Sequence, residues 1–124
     1  MELKEIKTIH DVILAWNNRQ CLIDNNGNIF AIEYVKLGFH IGVGGVVTFK
    51  NGRKLKEVVE NIPIEMIVTE TDAPWLSPTP HRGERNDSSY IKYVIEEIAR
   101  LKGMDVEKAA DMLYNNALDV YNLH

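Results

Sequence analysis

Two carboxylates, Glu70 and Asp72, stand one residue apart at the end of a short apolar run, and the chain then breaks at Pro74. A run of this length, bounded by turn residues, reads as a buried parallel strand. An acid at the C-terminal tip of such a strand stands where α/β barrels keep their chemistry. Both acids alternate with Thr71 and so face one way, toward a barrel interior or its top. Carboxylates this close shift each other's proton affinity. Asp72 has the chemistry of an oxygen ligand for a hard divalent cation, or of a proton acceptor for water. Asp also opens turns before proline, and that reading stands beside the chemical one.

The elements that would carry these acids alternate along the chain. Ile6, Ile9, Ile13 and Trp16 recur at helical spacing, giving a helix from Thr8 to about Arg19 with Thr8 and Asp11 as a capping pair. Residues 21–23 form a strand closed by the turn-forming stretch Asp24-Asn-Asn-Gly27. Residues 28–36 form a helix burying Ile29, Ile32 and Val35, with Gly38 as its C-terminal cap. A strand over 39–43 follows, and glycines 42, 44 and 45 mark either a bulge or the close approach of a ligand or another backbone.

A helix over Arg53–Asn61 turns Leu55, Val58 and Val59 inward, and Pro63 separates it from a third strand over 66–70. Residues 77–87, carrying Pro78 and Pro80, make an irregular loop long enough to cover a site. The clearest helix spans Ser89–Lys102 with Ile91, Val94, Ile95, Ile98 and Leu101 on one face; Gly103 stops it, and Asp105 caps a last helix from Val106 to about Tyr121. Strand and helix in alternation give an α/β arrangement, a partial TIM-type β/α barrel with about three parallel strands and flanking helices. A whole eight-fold barrel needs about 250 residues, and 124 form one partial-barrel domain over 1–124.

With 14 basic against 18 acidic residues, the net charge of −4 argues against broad electrostatic binding to nucleic acid. Two local basic groups remain: Lys50, Arg53, Lys54 and Lys56, readable as a solvated helix face, and Arg82 with Arg85. The single Cys21 rules out an internal disulfide framework and reads as a small buried hydrophobe. No segment approaches the ~20 apolar residues of a membrane span, and no secretory leader is evident, so a cytoplasmic location is expected.

The segments Leu37-Gly-Phe-His-Ile-Gly-Val-Gly-Gly-Val-Val-Thr-Phe-Lys-Asn51, Glu70-Thr-Asp-Ala-Pro-Trp-Leu76 and Arg82-Gly-Glu-Arg-Asn86 together resemble the TatD family of metal-dependent deoxyribonucleases. Their order, with Asn116-Ala117 in the last helix, is similar to that family's C-terminal half over residues 27–124; residues 1–26 diverge. The resemblance implies metal-assisted attack of water on a DNA phosphodiester, with a divalent cation such as Mg²⁺ or Zn²⁺. By it, Asp72 is the metal ligand and proton acceptor, and Glu70 a supporting residue. His81, Arg82, Arg85 and Asn86 would organise the covering loop or contact phosphate, and Trp75 would stack on a base or plug the space beneath the loop.

Other ligands in the family come from a His-x-His pair, a mid-chain Glu and two further histidines. This chain has no His-x-His, and the family's His-Cys-Phe/Tyr-Ser-Gly run reads Leu22-Ile-Asp-Asn-Asn-Gly27 here. Asp24 in that place is either a ligand or a turn residue. His10, His40, His81 and His124 show no metal-ligand spacing to one another. The resemblance thus implies a DNA-cleaving hydrolase incomplete as this chain alone. The alternative is a catalytically inactive remnant acting as an oligomerising module. A three-stranded partial barrel has open edges, and Val43 and Val68 are expected on an uncovered wall buried in a two-fold homodimer.

Overall fold

The structure, a computed structural model, describes residues 31–123. The expected helix over 8–19, the strand over 21–23 and the turn at 24–27, with His10, Cys21, Asp24 and His124, lie outside the described residues. Among the described residues the organising feature is a parallel pair of strands, β1 (Ile41–Val43) and β2 (Ile67–Thr69). Ile41 pairs with Ile67, Gly42 with Val68 and Val43 with Thr69. The Glu70 amide donates to the Val43 carbonyl at 3.0 Å, continuing the pairing to the first acid.

Side chains alternate across a strand, and here the alternation sets the faces. Ile41, Val43 and Ile67 are buried beneath the helices, while Gly42 and its partner Val68 share the opposite face. The expectation that Val43 joins Val68 on an uncovered wall is therefore corrected: Val43 is wholly enclosed, and Val68 is half-buried. Both strands are shorter than expected. Phe39 packs edge-on against Tyr34 at 6.4 Å instead of pairing, with His40 just before β1. After Pro63, Ile64–Met66 coils into a 3₁₀ turn before β2 begins.

Four helices cover the buried face: α1 (Ala31–Lys36), α2 (Arg53–Asn61), α3 (Ile91–Lys102) and α4 (Val106–Val120). Val58 and Val59 of α2 meet Val94, Ile98 and Ala99 of α3 and Ala109 and Leu113 of α4 in one core. The helical spacing of these residues is the period that makes one apolar stripe per helix. Gly103 takes φ of 62° to close α3, and the Asp105 carboxylate accepts from the Lys108 amide at 3.1 Å to open α4. Lys56 divides from the basic group around it: its ammonium turns inward to the Val47 carbonyl and to Glu97, at 3.2 Å from the carboxylate.

One buried side chain fixes α4 to the sheet. The Asn116 amide nitrogen donates to the carbonyls of Ile64 and Ile67, at 2.6 and 2.8 Å, and so holds the entry into β2. An Asn116→Ala variant leaves two carbonyls without a donor and is expected to lose about 2 kcal/mol of stability in urea unfolding. Asn116→Asp, which lacks the donor, should do no better.

Candidate functional site at the C-terminal ends of the strands

Two loops meet where the strands end: residues 44–52 after β1 and residues 70–87 after β2. The first turns through a short 3₁₀ helix, Gly45–Thr48. Thr48 joins it to the second. The Thr79 amide donates to the Thr48 hydroxyl at 2.8 Å, and the Thr79 hydroxyl donates to the Thr48 carbonyl at 3.1 Å. A Cβ on Gly45 would strike the Leu76 carbonyl and lie 3.3 Å from the Pro78 nitrogen, so the loops pack backbone to backbone. Of the alternatives for the glycines, close approach is what the geometry shows.

Gly44 answers to Glu70. A Cβ there would collide with the Glu70 carboxylate, 2.8 Å from its carboxyl carbon, and a Cβ on Gly42 would touch its Cγ at 3.7 Å. Glu70 thus lies over a notch made by two missing side chains. Partial burial there, then the negative charge of Asp72, raise its carboxyl above the usual range. Asp72 is exposed and adopts a left-handed backbone, with φ of 56°. Asp tolerates that region better than most residues. Among the described residues no donor is hydrogen-bonded to its carboxylate, whereas its carbonyl accepts from the Trp75 amide at 2.9 Å.

Asn86 holds this turn from behind. Only 4% exposed, it donates through its side-chain nitrogen to the carbonyls of Thr71 at 2.6 Å and Trp75 at 2.7 Å. Its amide donates to the Pro74 carbonyl at 2.9 Å, and its side-chain oxygen accepts from the Asp87 amide at 2.9 Å. The chain on both sides of Asp72 is therefore tied to one side chain. Asp87 in turn caps the 3₁₀ turn Ser88–Tyr90 before α3, accepting from the Ser89 amide at 2.8 Å; the Ser89 side chain first, then that amide, with a lesser pull from Arg85, keep its carboxyl below the usual range.

The other expected site residues separate. His81 is held within the protein, stacked on Tyr90 at 4.2 Å with its ring nitrogens 2.8 Å from Glu84 and 3.1 Å from the Tyr93 hydroxyl. The Arg82 guanidinium lies over the Phe49 ring, 3.5 Å from its centre, and Arg85 is exposed beside Pro74. Trp75 is 69% exposed, so it plugs nothing beneath the loop. Thr48 and Phe49, which join the loops and seat Arg82, lie in a segment that carries the family resemblance, but no local pattern assigns them these contacts.

A divalent cation needs several converging oxygen or nitrogen ligands. Asp72 has the chemistry of one, and it is exposed, with no partner for its carboxylate among the described residues. Among the described residues no three His, Cys, Asp or Glu side chains gather closely enough to hold an ion. Asn86→Ala should release the Asp72 turn: amide exchange at Trp75 is expected to quicken at least about tenfold while the core of α4 stays protected, and stability should fall by about 2 kcal/mol.

Residues 27–122 match the profile of the TatD related DNase family. Over 94 residues the chain is 47% identical to an uncharacterized metal-dependent hydrolase of Bacillus subtilis strain 168, YabD, covering 76% of this chain and 37% of that protein. It is 37% identical over 91 residues to another such hydrolase, YcfH of Escherichia coli K12, covering 73% and 34%. The chain thus spans about a third of the length of these curated relatives. Among solved structures, the TatD homolog YjjV of Escherichia coli K12 superposes with a TM-score of 0.65 at 30% identity, over 71% of this chain and 34% of that one. A TatD-family hydrolase of Entamoeba histolytica shares the fold, with a TM-score of 0.61 at 20% identity over 72% and 37%. The fold is that of a partial β/α barrel, and no helix among the described residues is long and apolar enough to cross a membrane. The chain belongs to the family of TatD-related DNases.

Proposed function

We propose that this chain forms the C-terminal part of a metal-dependent hydrolase that cleaves DNA phosphodiester bonds, acting in the cytoplasm. The observation that carries the reading is the open Asp72 carboxylate, presented at the tip of β2 on a turn clamped by Asn86. A divalent cation, when bound, polarises a phosphoryl oxygen and lowers the pKa of water. Asp72 supplies one oxygen ligand and accepts the proton of the attacking water. A positioned acceptor of this kind contributes about 10²–10⁴-fold in rate. Arg82 and Arg85 offer charge-assisted hydrogen bonds to non-bridging phosphate oxygens. Asn86 acts behind the turn and keeps Asp72 in place. Glu70, over its glycine notch, adds a second carboxylate beneath the rim.

A site with one ligand does not hold an ion firmly, so the chain alone with Mn²⁺ or Mg²⁺ is expected to leave DNA nearly uncut. The productive test puts the segment into a longer barrel. The matched stretch of this chain replaces its counterpart in Bacillus subtilis YabD, and metal-dependent DNA cleavage is compared with and without Asp72→Ala. The expected outcome is cleavage that falls at least about 100-fold in the variant. Cleavage by the chimera that is indifferent to Asp72→Ala would contradict the assigned role.

A further inference from the structure

The loop after β1 is held from the helix layer by a charge. Lys56 lies in the first turn of α2, yet its side chain is only 22% exposed. Its ammonium donates to the Val47 carbonyl and to a carboxylate oxygen of Glu97 on α3, the latter at 3.2 Å. The same carboxylate, 16% exposed, also takes the Arg100 guanidinium. Hydrogen bonds from Arg100 first, then from Lys56, hold the Glu97 carboxyl below the usual range against partial burial. A cation withdrawn from water is costly unless it is paired and hydrogen-bonded. Here it is both.

The acceptor is the informative part. Val47 is wholly buried, and its carbonyl stands near the end of the 3₁₀ turn Gly45–Thr48, where backbone acceptors lack partners within the helix. That carbonyl shares one rigid peptide plane with the Thr48 amide. Thr48 is the residue that ties the two loops. Its hydroxyl donates to the Gly45 carbonyl at 2.6 Å and accepts from the Thr79 amide, and its carbonyl accepts from the Thr79 hydroxyl. The next residue, Phe49, carries the Arg82 guanidinium on its ring. A charge pair on the helical side thus stands one peptide away from the contacts that join the loop after β1 to the loop carrying Asp72.

We propose that Lys56 is a positioning residue: paired with Glu97, it fixes the Val47–Thr48 peptide and, through Thr48, holds the loop that carries Asp72 and Arg82. It acts through Thr48 and not on substrate. The clasp itself stands on the hydrogen bonds above, whereas its consequence for catalysis rests on the hydrolase reading. Displacing a reacting group by about 1 Å costs about 10²-fold in rate, so a loop anchored from the helix layer bears directly on the site.

The test follows native-state amide exchange by NMR on the whole chain, without metal or DNA. Lys56→Met keeps an aliphatic stem and removes the charge. It is expected to quicken exchange at the Thr79 amide at least about tenfold while the core of α4 stays protected. Lys56→Arg should restore most of the protection. Thr48→Val should quicken Thr79 as much, and the double variant should add little, because both act through one contact. Asn116→Ala, which weakens the start of β2 instead, should leave Thr79 as it was. In the YabD chimera, kcat should fall at least about tenfold with Lys56→Met and recover with Lys56→Arg. Thr79 exchange unmoved by Lys56→Met, quickened equally by Asn116→Ala, or additive in the double variant overturns the clasp. An active chimera whose kcat ignores Lys56→Met overturns the positioning role, while a chimera inactive throughout overturns the hydrolase reading and leaves exchange to decide the clasp. If Lys56→Met does not fold, Glu97→Gln takes its place, with a quickening of about threefold expected and no change overturning the clasp.

Discussion

A single buried amide governs the geometry at the end of the sheet. Asn86 has two side-chain N–H donors, one side-chain acceptor and a backbone donor, and all the partners lie in the turn around Asp72 or in the entry to α3. Burial of Asn86 at 4% exposure makes these bonds costly to break, because its amide has little water to turn to. The left-handed conformations at Asp72 and Leu76 persist within that arrangement. The backbone on both sides of Asp72 is thus tied to one side chain, an anchor that a free loop would lack. The backbone around the charge at the rim is therefore held by a neutral, buried side chain.

The rest of the fold supports that point from below. Parallel pairing of β1 with β2 continues one residue beyond the strands, where the Glu70 amide meets the Val43 carbonyl. Gly42 and Gly44 leave room for the Glu70 side chain on the face away from the helices. Asn116 locks the start of β2 to α4 in the way that Asn86 locks the segment after it. Both ends of the strand are thus anchored by asparagine side chains to backbone carbonyls. The two loops are stitched by two hydrogen bonds between Thr48 and Thr79.

Much of this was legible in the residues themselves. The bounds of α2, the glycine that stops α3 and the cap at Asp105 follow from local periodicity and local hydrogen bonding, which a sequence carries directly. The end of β2 followed from an apolar run terminating in acids. What escaped depended on contacts between distant segments. Val43 is enclosed because the register with Thr69 and the helices above set its face. His81 is occupied by Tyr90 and Tyr93, which are remote in the chain but adjacent across the start of α3. Lys56 leaves the solvated face of α2 because an unpaired carbonyl at Val47 and the carboxylate of Glu97 lie within its reach. Gly44 could be singled out from sequence, but its reason, a carboxylate from the neighbouring strand, is three-dimensional.

The central claim is that Asp72 is presented as a ligand for a divalent cation, and weak binding is enough to test it. Substoichiometric Mn²⁺ broadens the NMR signals of nuclei near its site even when the ion exchanges rapidly. The account predicts broadening centred on the amides of Thr71, Asp72 and Ala73, reaching Gly44 across the strand pair, and its disappearance in Asp72→Asn. Broadening centred elsewhere, or unchanged by that substitution, would contradict it.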